Sequence, residues 1–413
     1  MSETLPVQTD QGNKRLTYAE VEAYHKKYCF NIFQKAAVCF ERGEGTVLYG
    51  MDGKRYLDFL GGIAVNALGH SNPAIVGAIT AQASRFIHCS NLYYIEPQVR
   101  LMKKLVEISC ADRAFICNSG AEANEAAIKL AKIYQYKKGR KDKYKIVTAV
   151  DSFHGRTLTT VAATGQTKYQ KPYAPLPPGF SHVPLNDFAA LRAAVNGEET
   201  CAVMLEIVQG ESGVQIADPE YIREAAALCA ENDALFILDE VQTGLGRTGK
   251  LFAYEHCGVE PDIFTLAKAL GAGFPIGATL AKESVAAAFE PGDHGSTFGG
   301  NPLACEVANA SVDLILKDKL YEAAAQKGDY FLGKLKTYVD GDGMTREVRG
   351  RGLMVAAEFE APVAVKVKEK MLELGCIVGS VGDKIIRFLP PLTVLYEEID
   401  AAVDIFGEAL KAV

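Results

Sequence analysis

The sequence predicts an α/β protein: a mostly parallel seven-stranded sheet between helical layers, followed by a smaller C-terminal α+β domain. Three observations carry this. Seven apolar runs, at 113–117, 145–150, 181–184, 201–208, 234–239, 262–267 and 276–281, are mostly near-continuous, which marks strands covered on both faces. Helical stretches alternate with them, at roughly 72–88, 97–109, 120–136, 219–232 and 248–257. Past a long helix near 303–326 the pattern changes to short strands mixed with helices.

In chain order, residues 17–29 read as a charged helix and Gly43–Phe59 as a hairpin with Asp52-Gly53 at its turn. Residues 1–59 are thus expected to form a peripheral arm packing near the small domain. Leu60–His70 is too glycine-rich for a core element and too apolar for a solvated loop. It suits a pocket wall or a subunit contact, and equally a buried structural loop. The large domain is expected over 60–310. In it the run 113–117 gives way to Asn118-Ser119-Gly120-Ala121-Glu122, opening a helix whose Ala123, Ala127, Leu130, Ala131 and Tyr134 share one face. Ser119 with Glu122 is a capping-box pattern. The same helix start leaves backbone N–H groups free for a phosphate, which Gly120 would let approach; capping alone explains these residues equally well.

The strand 145–150 leads into Asp151–Thr157, where Phe153 could stack on a flat ring and Arg156 could take a carboxylate through two hydrogen bonds. A loop whose Phe closes the core and whose Arg meets solvent is the alternative. Glu206 lies on the strand 201–208 and Glu211 just after it, while Arg387 is flanked by apolar residues in Ile385–Leu392. A charge in such a setting needs a partner, so an Arg387–carboxylate pair is expected. Gly295–Pro302 is a small-residue turn that could offer the hydroxyls of Ser296 and Thr297 to a phosphate, or serve only as a turn. A strand at 352–359, a helix at 363–374, short strands at 376–378 and 384–388 and a last helix at 397–411 complete a small domain placed at 311–413.

With 413 residues, 48% of them hydrophobic, the chain can bury a large core. The net charge of -7 comes with no basic block, so neither nucleic acid nor an anionic membrane is suggested as a partner. No apolar run is long enough to span a bilayer, and the polar start fits neither a signal peptide nor an Arg-rich transit peptide. A cytoplasmic protein is the expectation. The 10 cysteines are scattered without a CxxC pair, as suits buried free thiols, and His88-Cys89 is too little for a metal site.

Two residues concentrate the chemistry. Lys268 ends an apolar strand and opens a glycine-rich turn, Gly271 to Gly277. An amine in a dry pocket moves towards its neutral, nucleophilic form. Asp239 closes the run Ala234–Leu238, at the strand end where α/β sheets bind ligands. Pyridoxal phosphate needs such a pair, a lysine to form an imine and an acid to keep the ring nitrogen protonated. Taken singly, Lys268 also reads as a strand-end lysine reaching for solvent, and Asp239 as a helix cap. A nicotinamide enzyme would share the sheet, yet no G-x-G-x-x-G follows a strand.

The ordered set Ser119-Gly120-Ala121, Phe153-His154-Gly155-Arg156, Asp239-Glu240-Val241-Gln242, Lys268 and Ser296-Thr297 resembles the class III, or ω-amino acid, aminotransferases of pyridoxal phosphate fold type I. The resemblance runs from about residue 43 to the C-terminus. Within the class, Gly61–His70 is most similar to the branch acting on N-acetylornithine in arginine biosynthesis; Ile63, where ornithine enzymes tend to carry Tyr, points the same way. The resemblance implies pyridoxal phosphate as cofactor, with Lys268 as imine and proton-transfer residue and Asp239 on the ring nitrogen. It puts Phe153 and Val241 on the two ring faces, Gln242 on the ring hydroxyl, Glu240 beside them, and Ser119, Gly120 and Ala121 at the phosphate. Ala121 stands where the family commonly has Thr, so only a backbone contact survives there. Thr297 would reach the phosphate of a neighbouring subunit, implying a homodimer with shared sites. Arg156 and Ser296 would contact acetylornithine and Arg387 glutamate, with Glu211 covering Arg387 in between. Other pyridoxal phosphate reactions, such as racemisation, stay open, as do N-succinylornithine, N-succinyl-diaminopimelate, ornithine and 4-aminobutyrate as amine donors.

Overall fold

Alternate residues of each central strand enter two different apolar layers, and this is why the runs are nearly continuous. In the strand Leu235–Asp239, Leu235 and Ile237 pack with Ala127, Ile128, Leu130 and Ala131 of the helix Gly120–Lys137, whereas Phe236 and Leu238 join the larger core on the other face. Thr200–Leu205 divides in the same way, Ala202 and Met204 against Val203 and Leu205. The computed structural model describes residues 15–339, 341 and 343–413; the polar start weighed above, residues 1–14, lies outside the described residues.

The strands form one seven-stranded sheet in the order Arg113–Cys117, Gly277–Ala281, Ile263–Leu266, Leu235–Asp239, Thr200–Leu205, Lys145–Ala149, Phe180–Val183. Gly277–Ala281 runs antiparallel to both neighbours, and all the other pairings are parallel. The strands ending at Cys117, Ala149, Leu205, Asp239 and Leu266 therefore discharge their following residues at one edge. A second, antiparallel sheet joins Thr345–Arg351, Met354–Phe359, Ile385–Phe388 and Gly379–Val381 in that order, with the helices Ala364–Glu373 and Tyr396–Lys411 nearby in the chain.

Near the N-terminus, Thr17 caps the helix Tyr18–Tyr28 in a capping box with Glu20. Phe40–Glu44, Val47–Gly50 and Arg55–Asp58 form an antiparallel sheet, with Asp52 and Gly53 in the second turn. Cys376–Ile377 joins its edge, parallel to Arg55–Asp58. Asp58 then accepts hydrogen bonds from the Leu60 and Gly61 N–H groups at 3.0 and 2.8 Å. These anchor a run in which Gly61, Gly62, Ile63 and Ala64 all have positive φ. The ten cysteines are unpaired. No helix among the described residues is long and apolar enough to cross a membrane.

Two helices differ from expectation. The stretch 248–257 is turns ending in a single 3-10 turn, Ala253–His256. Gly249 has φ +92 and lies so close to the helix Leu320–Val339 that a Cβ would stand 2.9 Å from that of Ala325, so this loop is shaped by packing rather than by helical spacing. The long helix near 303–326 is two, Pro302–Lys317 and Leu320–Val339. Lys319 sits between them at φ +48, in the left-handed region that a continuous helix excludes.

Candidate active site

The residues leaving the common sheet edge enclose a cavity of about 390 Å³. Lys268 lines it. It follows the strand Ile263–Leu266 at φ +43, a left-handed conformation rare outside glycine. Such backbone costs on the order of 1–3 kcal/mol and is held only where the surroundings impose it. Loss of solvation lowers the Lys268 amine below the ordinary lysine range, although Glu211 and Asp239 pull the other way. Neutral amine is thus available at lower pH than on a surface lysine.

Asp239 is buried at the end of its strand. Its Oδ2 accepts from Asn124 Nδ2 at 2.7 Å and lies 2.8 Å from His154 Nδ1; its Oδ1 accepts from the Val241 N–H at 3.0 Å. The last bond closes a turn rather than capping a helix, since no helix starts after Asp239, and the first two reach across the fold. Asn124 is itself fixed, donating to the His154 carbonyl at 2.7 Å and accepting from Thr265 Oγ1 at 2.7 Å. Two segments distant in the sequence thus converge on one carboxylate. Sequence reasoning missed Asn124 and His154 as its partners, although both lie inside stretches it singled out; the contact joins segments that only the fold brings together.

Ser119, Gly120 and Ala121 line the cavity at the start of the 18-residue helix Gly120–Lys137. Ser119 caps it through the Glu122 N–H at 3.2 Å, but the return half of the box goes one residue further back, Glu122 accepting from the Asn118 N–H at 2.5 Å. A Cβ on Gly120 would meet Val241 Cγ1 at 2.7 Å. Only glycine lets the helix start and the Val241 wall close on the same space.

Phe153, Arg156, Glu206, Glu211, Val241 and Gln242 complete much of the wall. Glu206 Oε2 accepts the Phe153 N–H at 2.9 Å, and burial together with Asp239 pushes this carboxyl well above the usual range. Arg387 lies behind Glu211, with Nη1 2.7 Å from Glu211 Oε1 and 2.5 Å from the Gly210 carbonyl. The expected arginine–carboxylate pair is therefore Glu211–Arg387. Arg156 is exposed and lies over Tyr169.

Four of the sequence-selected residues do not line the cavity. Arg387 is one, reaching it only through Glu211. Glu240 points elsewhere: its carboxylate accepts the Ala253 and Tyr254 N–H groups at 2.9 and 2.8 Å and Thr243 Oγ1 at 3.0 Å, so it holds the loop that follows. Ser296 Oγ accepts from Asn118 Nδ2 at 3.1 Å and from the Gly299 N–H at 2.9 Å. Thr297 is exposed.

These residues fit a flat, phosphorylated pyridine. A buried carboxylate, a helix N-terminus, an aromatic side chain and a lysine of lowered pKa face one cavity, and Gln242 Oε1 is buried there without a hydrogen-bond donor among the described residues.

The comparisons agree with this geometry. The model of the class III aminotransferase family matches residues 32–410. The acetylornithine aminotransferase of Caldanaerobacter subterraneus subsp. tengcongensis is 51% identical over 390 residues, 94% of this chain and 99% of that protein. The succinylornithine transaminase of Photorhabdus laumondii subsp. laumondii is 45% identical over 381 residues, 92% and 94% of the two chains. A solved structure of the ornithine aminotransferase of Toxoplasma gondii, described as having partial occupancy of PLP at its active site, superposes with a TM-score of 0.92 at 32% identity, covering 96% of this chain and 95% of that one. With the family's sequence pattern running through nearly the whole chain and half its residues shared with a full-length relative, the protein belongs to the class III aminotransferases.

Proposed function

We propose that the protein transfers the terminal amino group of N-acetylornithine to 2-oxoglutarate, giving N-acetylglutamate 5-semialdehyde and glutamate. The observation that carries this is the convergence of Lys268 and the Asn124- and His154-braced Asp239 on one cavity, in a chain 51% identical to an acetylornithine aminotransferase. Class III aminotransferases use pyridoxal phosphate. When bound, it supplies a carbonyl that takes up amines and a protonated ring that draws off the electron pair released at the reacting carbon.

In this reading Lys268 Nζ holds the cofactor and moves the proton between the reacting carbons. Asp239 keeps the ring nitrogen protonated, its side chain held in place by Asn124 and His154. Phe153 and Val241 would cover the two ring faces, Gln242 Oε1 would accept a hydrogen bond from the ring hydroxyl, and the backbone at Ser119, Gly120 and Ala121 would hold the phosphate. Arg156 and Ser296 receive the distal end of acetylornithine. Arg387 receives glutamate and is covered by Glu211 otherwise. Residues 60–310 form the cofactor-binding domain, 311–413 the small domain and the described residues 15–59 the arm expected over 1–59.

Thr297, exposed on its own subunit, serves the phosphate of a second subunit in a cytoplasmic homodimer. The consecutive solvent-facing Leu92, Tyr93 and Tyr94 support such an interface, since large apolar side chains grouped at a surface mark contact sites. N-succinylornithine is the second candidate donor, favoured by the 45% identity to a succinylornithine transaminase. Steady-state kcat/KM for N-acetylornithine, N-succinylornithine, N-succinyl-diaminopimelate and 4-aminobutyrate, each with 2-oxoglutarate, tests the assignment. A higher value for any amine other than N-acetylornithine overturns it.

A further inference from the structure

Arg156 forms no ion pair with a carboxylate among the described residues, and it is exposed. A long side chain in that position has rotamer entropy to lose when it binds an anion. Here it is already placed. Its Cζ stands 3.9 Å from the centre of the Tyr169 ring and 5.4 Å from that of Phe153, and the two rings meet edge to face at 6.1 Å.

Tyr169 is well moored. It belongs to the short helix Thr167–Gln170. On one side Gln166 Nε2 donates to the Ser152 carbonyl at 3.0 Å; on the other Gln170 Nε2 donates to the Thr164 carbonyl at 2.8 Å. The Gln166 bond ties the helix to the loop that carries Phe153 and Arg156, so ring and guanidinium keep a fixed relation. Lys168 Nζ also lies 4.8 Å from the same ring centre, placing a second cation at this aromatic side chain.

A guanidinium laid on an aromatic face is held through its plane, and its N–H groups, which lie in that plane, stay free. We propose that Tyr169 is a positioning residue that sets donor specificity: it holds the Arg156 guanidinium flat, with its N–H edge presented to the distal carboxylate of the amine donor. This rests on the reading of Arg156 as the carboxylate-binding residue, and the test separates the two.

The probes are N-acetylnorvaline, which has the carboxylate and acetamide of N-acetylornithine without the reacting amine, and its carboxamide, in which that charge is removed. Their affinities for the holoenzyme are measured by calorimetry, with visible absorbance showing that each variant keeps its cofactor. Tyr169→Leu weakens the acid about tenfold and leaves the amide unchanged, and Tyr169→Phe, which keeps the ring face, restores the acid. In an Arg156→Met background Tyr169→Leu has no further effect. Equal weakening of acid and amide by Tyr169→Leu overturns the proposal, because it shows Tyr169 acting through packing alone. So does an unchanged acid affinity in Tyr169→Leu when Arg156→Met weakens it, with the role of Arg156 left standing. An unchanged acid affinity in Arg156→Met removes the role of Arg156 and the proposal with it.

Discussion

Arg387 is almost fully buried, and the carboxylate it meets among the described residues is that of Glu211. Burial alone would push Glu211 up, but the Arg387 charge and hydrogen bond outweigh it and hold the carboxyl below its usual range. A carboxylate with a depressed pKa contributes stability that is present above its unfolded value and is lost as pH falls through the folded one. The pair therefore stands at neutral pH. Removing one member of a buried pair costs about 3–5 kcal/mol, because the other charge is left uncompensated. In the function proposed above, glutamate would bring its own carboxylate to Arg387, and the terminal amine of acetylornithine would not. Glu211→Ala should consequently slow the acetylornithine half-reaction while sparing the glutamate half-reaction, and Arg387→Ala should damage mainly the glutamate side. Single-turnover spectra with each substrate separate them; equal slowing of both by Glu211→Ala would reduce Glu211 to a structural residue.

At the scale of elements, the loop after Leu235–Asp239 depends on a carboxylate rather than on helix formation. Both Glu240 oxygens are engaged, one by the Tyr254 N–H, the other by the Ala253 N–H and Thr243. Burial nevertheless raises this carboxyl from 4.5 to about 7, the three hydrogen bonds recovering only part of the cost. The folded state then binds more protons than the unfolded one between those values, so this group makes stability fall as pH rises from 4.5 to about 7. Glu240→Gln should remove that slope while lowering stability by about 1–3 kcal/mol, since a carboxamide has one acceptor where two oxygens were used. Urea melts at pH 5 and pH 8 measure both effects. The same loop shows what was legible in the sequence. The strands were readable because most are apolar on both faces, and Lys268 and Asp239 because each interrupts or ends such a run. The helix expected at 248–257 failed because Gly249 and Glu240 answer to distant partners, Ala325 and Tyr254 among them. Asn124 and His154 were hidden for that reason too. The break at Lys319 lies in a stretch whose composition suits one helix throughout.

For the whole molecule, the segment from Arg387 to Leu392 ties distant parts of the chain together. Leu389 N–H donates to the Phe59 carbonyl at 2.6 Å and Leu392 N–H to that of Ala67 at 2.8 Å, while Arg247 Nη1 donates to the Pro390 carbonyl at 2.5 Å. Arg247 is fully buried, and the lack of solvation lowers its pKa to about 9. If the assembly is a dimer in which Thr297 serves the neighbouring site, subunits carrying Lys268→Ala and subunits carrying Thr297→Ala should complement when mixed. One site per mixed dimer then holds an intact lysine and an intact threonine. Mixing subunits that each carry both substitutions should yield no gain, and a mixture of the two single variants no more active than the same variants kept apart would place each site within one chain.

The parallel pairing of Cys376–Ile377 with Arg55–Asp58 also sets an order of events during synthesis. Three strands of the N-terminal sheet leave the ribosome early, and their fourth emerges only after most of the chain has been made. At ~5–20 residues per second the wait is roughly a quarter of a minute to a minute. Throughout it the edge that later gives the Leu57 and Phe59 N–H groups to the Gly375 and Ile377 carbonyls stays open. An open strand edge is a template for pairing with another chain. Chains stalled or cut before residue 376 should therefore sediment as aggregates when translated without chaperones, whereas full-length chains stay in the supernatant. Equal solubility of the two would show that the early strands protect their own edge.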